Sequence, residues 1–240
     1  MDKEFKKFIM KDIKNLYLNE DLAKYNWFNS GGSAEIFFRP NKINELSEFL
    51  KRNKKKVNVL GAGSNILIRD GGLKGVTIKL SSKFSFLNLI DKETIQVGAS
   101  TLDKKLSDFA TENSISGFEF LSCIPGSIGG AVKMNCGCFG HDISQIIKSV
   151  EAIDFNGNIK EIPSEKINFS YRSCNLNKDL IITSVKFKGH LSNKDNIKKK
   201  QLEMIEKKKR SQPNKIKTCG STFKNTKNKK AWELIKDSNC

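Results

Sequence analysis

The sequence predicts an α+β protein, from three observations. Apolar stripes recur at helical spacing, short β-branched or apolar runs are bounded by glycine and asparagine, and an Asn156-Gly157 pair lies between two strand-like segments. In chain order, Phe5, Phe8, Ile9, Ile13, Leu16 and Tyr17 predict an amphipathic N-terminal helix turned to the core. A second helix is expected at 43–52, after Pro40-Asn41, with Ile43, Leu46, Phe49 and Leu50 inward. A third starts near Thr101 and buries Leu102, Leu106 and Phe109. Strands are expected at 34–38, 57–60, 66–68, 76–80 and 94–97, and Asn156-Gly157 turns a hairpin of 150–155 on 158–162. Beyond Leu191, Ser192-Asn193-Lys194-Asp195 leads into a highly charged helix carrying Ile197, Leu202 and Ile205 and ended by Pro213, which reads as the start of another domain.

A chain of 240 residues with 38% hydrophobic content and 16 Phe can bury a core of one to two domains. No apolar run approaches the ~20 residues that span a bilayer, and the N-terminal stretch lacks a signal-peptide core, so the expectation is a cytoplasmic protein with no membrane partner. The net charge of +17 comes from lysines spread over 51–56, 198–200, 207–210 and 227–230, without a base-reading module. It reads as a solvated basic surface, able to steer an anionic substrate, and no nucleic-acid partner is expected. The six cysteines follow no zinc spacing and read as thiols, with Cys136 and Cys138 filling small sites; with His141 and His190 the only histidines, no metal is expected. His190 is expected at the surface.

The stretch Ile124-Pro125-Gly126-Ser127-Ile128-Gly129-Gly130-Ala131 has been all but stripped of side chains, which lets backbone N–H groups approach something bulky and anionic. Upstream, Gly61-Ala62-Gly63-Ser64-Asn65 lies between two apolar runs. Either loop alone could be a tight turn. Together they favour one long diphosphate ligand. A dinucleotide fingerprint of the Rossmann kind fails, because position 66 is Ile66 and a β-like run follows instead of a helix; no Gly-Lys-Ser/Thr of a P-loop is present.

These loops occur in series with Trp27-Phe28, Gly31-Gly32-Ser33-Ala34, Gly117-Phe118-Glu119-Phe120, Met134-Asn135, Tyr171-Arg172 and Gly220-Ser221-Thr222-Phe223. In that order the chain resembles the UDP-N-acetylenolpyruvoylglucosamine reductases over nearly all its length, in the subgroup without an inserted substrate loop. The resemblance implies a two-subdomain FAD-binding fold of the vanillyl-alcohol oxidase (PCMH) type followed by a substrate domain. Expected boundaries are 1–31 for a lead-in, 32–191 for the FAD-binding unit and 192–240 for the start of the substrate domain. It implies noncovalent FAD held by Gly61, Ala62, Gly63, Ser64, Asn65, Ile124, Pro125, Gly126, Ser127, Gly129 and Gly130, with NADPH as co-substrate.

The implied reaction reduces the enolpyruvyl ether of a UDP-sugar to UDP-N-acetylmuramate for peptidoglycan synthesis. In it Tyr171 and Arg172 bind substrate, Arg172 offsets charge on the carboxylate, and Ser221 donates a proton. A monomer is expected. Three departures stand out: Cys136 and Cys138 replace small residues, Cys219 lies two positions before Ser221, and the family continues beyond 234–239 to a catalytic glutamate, so a C-terminally incomplete chain is expected. Alternatives are a truncated FAD-binding remnant with little turnover, or another flavin oxidoreductase of the same fold.

Overall fold

The computed structural model of the protein describes residues 13–211, 220–226 and 228–238. Two sheets carry it. The first has the order β1-β2-β4-β3, built from β1 (Leu16–Asp21), β2 (Ser33–Phe38), β3 (Val57–Val59) and β4 (Leu73–Ile78). β1 pairs antiparallel with β2, whereas β4 runs parallel to both β2 and β3. The parallel pairing requires a crossover, which helix α1 (Ile43–Arg52) supplies. Its Leu46, Phe49 and Leu50 pack on Ile36 and Phe38 of β2 and Val76 and Ile78 of β4, with the Phe38 and Phe49 ring centroids 4.4 Å apart.

β5 (Leu87–Leu89) and β6 (Thr94–Gly98) open the second sheet, and β7 (Ile115–Ser116), β8 (Gly137–Cys138) and β9 (His141–Asp142) are short outliers. β10 (Ile147–Asp154), β11 (Ile159–Pro163), the small hairpin β12 (Phe169–Ser170) with β13 (Ser173–Cys174), β14 (Leu180–Lys188) and β15 (His190–Leu191) follow. The second sheet is antiparallel in the order β11-β10-β14-β6-β5. Helices α2 (Asp103–Glu112) and α3 (Ile128–Lys133) cover it, burying Leu106, Ala110, Ile128, Ala131 and Val132 against Ile95, Val97, Val150, Ile182, Val185 and Phe187.

The sheets are not independent. Ile153 of β10 and Ile181 of β14 join the core beneath α1, and the buried Ser47 of α1 donates a 2.7 Å hydrogen bond to Gly157 O at the tip of the β10–β11 hairpin. That tip is pinned from below by Asp154, whose Oδ1 accepts from the backbone N–H groups of Asn156 and Asn158 at 2.9 Å each and whose Oδ2 meets Lys160 Nζ at 2.9 Å. Burial pushes the Asp154 carboxyl up, but Lys160 and the Asn156 and Asn158 donors outweigh it and hold the group well below the usual carboxylate range. A depressed folded value means stability that is present above the unfolded value of 3.8 and is lost as pH falls below it. Asp154→Ala is therefore expected to cost about 2 kcal/mol at pH 7, read as a lower urea midpoint, with the gap from wild type shrinking below about pH 4.

Three sequence expectations change, and two features go beyond them. Leu16 and Tyr17 lie in strand β1, so the N-terminal helix does not extend through them; Phe5, Phe8 and Ile9 lie outside the described residues. The 66–68 run forms no strand: Ile68 is buried while Leu67 is exposed, and the segment lies beside Gly31 and Gly32, with Arg69 O accepting from Gly32 N. Leu102 precedes α2 and is exposed, because the helix begins one residue later with Asp103 inward. Leu202 points to solvent from α4 (Lys194–Ser211), whose inward residues are Ile197 and Gln201. β14, the centre of the second sheet, is not among the expected strands. The composition shift after Leu191 is not matched by a break in packing. Gln201 Nε2 of α4 donates to Ser107 Oγ and Asp108 Oδ1 of α2 at 3.0 Å each, and Lys208 Nζ bonds Cys123 O. Pro213 lies outside the described residues.

Candidate functional site

The two glycine loops converge in a seam between the sheets. The 61–65 loop leaves the end of β3; the 124–130 loop enters α3. A Cβ on Gly61 would lie 2.9 Å from Ser127 Oγ, and one on Gly126 would lie 2.6 Å from Asp103 Oδ2 and 3.8 Å from Ser64 Oγ. Side chains at these positions would wedge the loops apart. Gly63 sits at φ +76°, and a Cβ there would fall 2.0 Å from Tyr25 O, while its own carbonyl accepts from Trp27 N at 3.1 Å. The Trp27 region is thereby locked to the loop. Gly129 serves helix packing instead. Its N–H is donated to Ala99 O at 2.9 Å, and its missing Cβ lets α3 approach the Ala99 side chain, which would stand 3.3 Å from it. Ala62 and Ser64 are half-buried, Asn65, Pro125 and Gly130 are exposed, Ile124 is half-buried and Ser127 is buried.

Cations line the first loop. Lys79, just past β4, bonds Gly61 O through Nζ, and burial with the nearby Arg39 lowers its ammonium to about 8. Arg39 Nε is buried without a hydrogen-bond partner among the described residues. On the other side, the Asp103 carboxyl is fully buried with neither oxygen partnered among the described residues. Small-residue loops in contact, two nearby cations and the orphaned buried Nε of Arg39 fit a long anionic ligand such as a dinucleotide diphosphate. Sequence reasoning missed Lys79, Arg39 and Asp103. The available signal was weak: a lone lysine or arginine directly after a strand, and an acid at the first position of a helix.

The second half of the site is a hairpin tip. Tyr171 and Arg172 form the turn between β12 and β13, and Arg172 sits at φ +57°, in the left-handed region that glycine tolerates best. A non-glycine residue there costs about 1 kcal/mol, so the turn alone does not account for arginine. Its guanidinium lies 5.5 Å from the Tyr171 ring centroid and donates from Nη1 to Phe223 O at 3.2 Å. Asn225 N donates to Tyr171 Oη at 3.4 Å, and Lys224 Nζ to Tyr171 O at 3.5 Å. The 220–226 segment is thus seated on the tip, with the exposed Ser221 two residues from Phe223. Asn135, itself at φ +42°, donates from Nδ2 to Ser170 O at 3.3 Å and ties the tip to the end of α3. Arg172→Gly is expected to shift stability by less than about 1 kcal/mol, because relief of the positive φ is offset by the freer unfolded chain and by loss of the bond to Phe223 O, seen as a denaturant midpoint close to wild type.

Burial pushes the Cys136 and Cys138 thiols up to about 12, so they are neutral packing groups at physiological pH, as expected. Cys123 is buried and Cys174 half-buried, and His190 is exposed. Cys219 lies outside the described residues. Among the described residues no cluster of three or more His, Cys, Asp or Glu could hold a metal, and no helix is long and apolar enough to cross a membrane.

A family model described as an FAD binding domain matches residues 34–163. The UDP-N-acetylenolpyruvoylglucosamine reductase of Pelagibacter ubique is 48% identical, over 98% of this chain and 80% of its own length. That of Rickettsia peacockii is 46% identical, over 95% of this chain and 78% of its own. The crystal structure of UDP-N-acetylenolpyruvylglucosamine reductase (MurB) from Thermus caldophilus superimposes with a TM-score of 0.82 at 30% identity, covering 93% of this chain and 79% of that one. A variant of Phl p 4, a glucose oxidase, reaches a TM-score of 0.59 at 12% identity over 80% of this chain and 45% of its own, a likeness of fold alone. The α+β architecture is therefore the FAD-binding fold of the PCMH type. Because the matched region contains both converging loops and these relatives are spanned over most of their length, this chain belongs to the UDP-N-acetylenolpyruvoylglucosamine reductase family and is an FAD-dependent oxidoreductase.

Proposed function

We propose that the protein uses NADPH to reduce the enolpyruvyl ether of UDP-N-acetylglucosamine to UDP-N-acetylmuramate, a step of peptidoglycan precursor synthesis. The observation that carries the reading is the seating of the 220–226 segment on the Tyr171-Arg172 tip, beside loops fit for a diphosphate. FAD, when bound, supplies the two-electron hydride chemistry that side chains lack. The 61–65 and 124–130 loops hold its diphosphate, Gly129 acting through the packing of α3.

An enolpyruvyl group is a reluctant hydride acceptor because its carboxylate is already anionic, and hydride arriving at the β-carbon pushes more charge onto it. Arg172 binds that carboxylate and offsets the added charge. Tyr171 supplies a binding surface next to it. The basic α-carbon left behind takes a proton even from a weak acid, and Ser221 Oγ is the donor. In this reading 32–191, extended by β1, is the flavin unit and the 192–240 region contributes to the substrate side. The protein works as a cytoplasmic monomer on a UDP-sugar, without nucleic-acid or membrane partners.

The test is to incubate the FAD-loaded protein with NADPH and the enolpyruvyl UDP-sugar and follow loss of nicotinamide absorbance together with a product two mass units heavier. NADPH oxidation with oxygen alone and no reduced sugar would support the reading of another flavin oxidoreductase of the same fold.

A further inference from the structure

A cleft of about 460 Å3 shares no residue with either glycine loop or with the Tyr171-Arg172 tip. Five elements each contribute one basic residue to its wall: His141 of β9, Lys148 of β10, Lys188 of β14, His190 of β15 and Lys200 of α4. Both histidines of the chain are among them. Two glycines lie side by side in the same wall. A Cβ on Gly117, which sits at φ +108°, would stand 3.8 Å from Gly189 Cα and 4.0 Å from His190 Nδ1, and one on Gly189 would fall 2.4 Å from Ser116 O. The cleft is thus bare at its glycines and ringed by groups that carry N–H donors.

Cations gathered from separate elements repel one another, and only part of that charge is answered within the chain. Lys188 Nζ stands 3.5 Å from Glu93 Oε2, and Lys200 Nζ stands 3.8 Å from Glu119 Oε1. The buried Glu119 carboxylate is engaged elsewhere, accepting from Ser116 Oγ at 2.6 Å and Gly117 N at 2.8 Å. Neither carboxylate lines the cleft. Lys148 is exposed without an ion-pair partner, and the His190 ring is without a hydrogen bond, among the described residues. The His141 ring stacks on Phe120 with centroids 6.2 Å apart and meets Gln145 Oε1 through Nδ1 at 3.3 Å, which fixes the imidazole and leaves Nε2 without a partner among the described residues. Ammonium and imidazole donors around a wall free of carboxylates suit a ligand with several anionic oxygens. A single phosphate would fill only a corner of such a space, whereas a run of phosphoryl groups reaches several of the five donors. We propose that this cleft is a second ligand site, which binds an oligophosphate, either free or as the tail of a nucleotide.

Because the chain has no other imidazoles, the Cε1–H proton resonances of His141 and His190 report on this cleft alone, and His141→Gln and His190→Gln assign them. The FAD-loaded protein is titrated with orthophosphate, tripolyphosphate and ATP at constant ionic strength, without divalent cations, and followed by proton NMR. Tripolyphosphate should shift both resonances saturably and bind at least about tenfold more tightly than orthophosphate, since each added phosphoryl group brings further charge-assisted hydrogen bonds. Lys148→Glu, a reversal at an exposed position, should weaken tripolyphosphate at least about tenfold. The same reversal at Lys54, exposed beyond α1 and outside the cleft, should change its Kd less than about twofold at ~0.15 M salt, where distant surface charges are screened. With the site so established, ATP binding more tightly than tripolyphosphate assigns the ligand to the nucleotides, and the reverse order assigns it to free oligophosphates. Absence of a saturable shift up to about 10 mM, too weak for a site, would overturn the inference. So would binding that moves neither imidazole, an unchanged Kd in Lys148→Glu, or an equal loss in Lys54→Glu, which would reduce the effect to net charge.

Discussion

Ser221→Ala is expected to slow reoxidation of the reduced flavin by the enolpyruvyl sugar by about 10²- to 10⁴-fold, the range of a lost general acid. Reduction by NADPH should stay within about threefold, since that half-reaction needs no proton at the sugar α-carbon. The two half-reactions separate in stopped-flow absorbance of the flavin. Ser221 is exposed, and its segment is held on the hairpin tip through Phe223, Lys224 and Asn225, so the substitution leaves the docking on Tyr171 and Arg172 in place. An unchanged reoxidation rate would remove Ser221 as the donor and shift attention to Cys219, its neighbour two positions back.

Gly63→Val is expected to yield protein that retains no FAD. Two penalties coincide at this residue. A β-branched side chain at φ +76° is forced into the left-handed region, at about 1–2 kcal/mol. Its Cβ would also fall 2.0 Å from Tyr25 O, a backbone atom that cannot swing away as a side chain could. The 61–65 loop must then move, and the Trp27–Gly63 hydrogen bond and the Lys79 contact at Gly61 O go with it. Absorbance of the purified protein near 450 nm, an approximate flavin signature, reads the outcome. A yellow Gly63→Val protein with wild-type FAD content would show that the loop does not hold the cofactor.

Sequence reading located both glycine loops because stripped side chains are a local signal, and it located the hairpin turn because Asn156-Gly157 is a local signal too. It failed where structure depends on distant partners. In β14 the alternation is broken by Thr183 and Ser184, which are buried because Glu151, some thirty residues away in the chain, accepts from both hydroxyls. The 66–68 run has strand composition, but composition does not reveal whether a ladder exists for it to join. Leu16 and Tyr17 continue a helical spacing by chance into a strand whose register is set by Phe38 and Phe37 opposite. Asp103 reads as an ordinary acid at a helix start, and only the approach of Gly126 marks it as part of the seam. The pairs Tyr171-Arg172 and Gly220-Ser221 were legible through the family pattern, whereas the contact between their segments, 51 residues apart at Arg172 and Phe223, needed the fold.

The core beneath α1 is completed by Ile153 and Ile181, contributed from the far end of the second sheet. During synthesis the first sheet therefore emerges with one face of its helix uncovered, and it stays so until the β10 and β14 strands have also left the ribosome. Fragments ending before β10 are expected to aggregate through that face, and two fragments divided between β6 and β10 should regain flavin binding only when mixed.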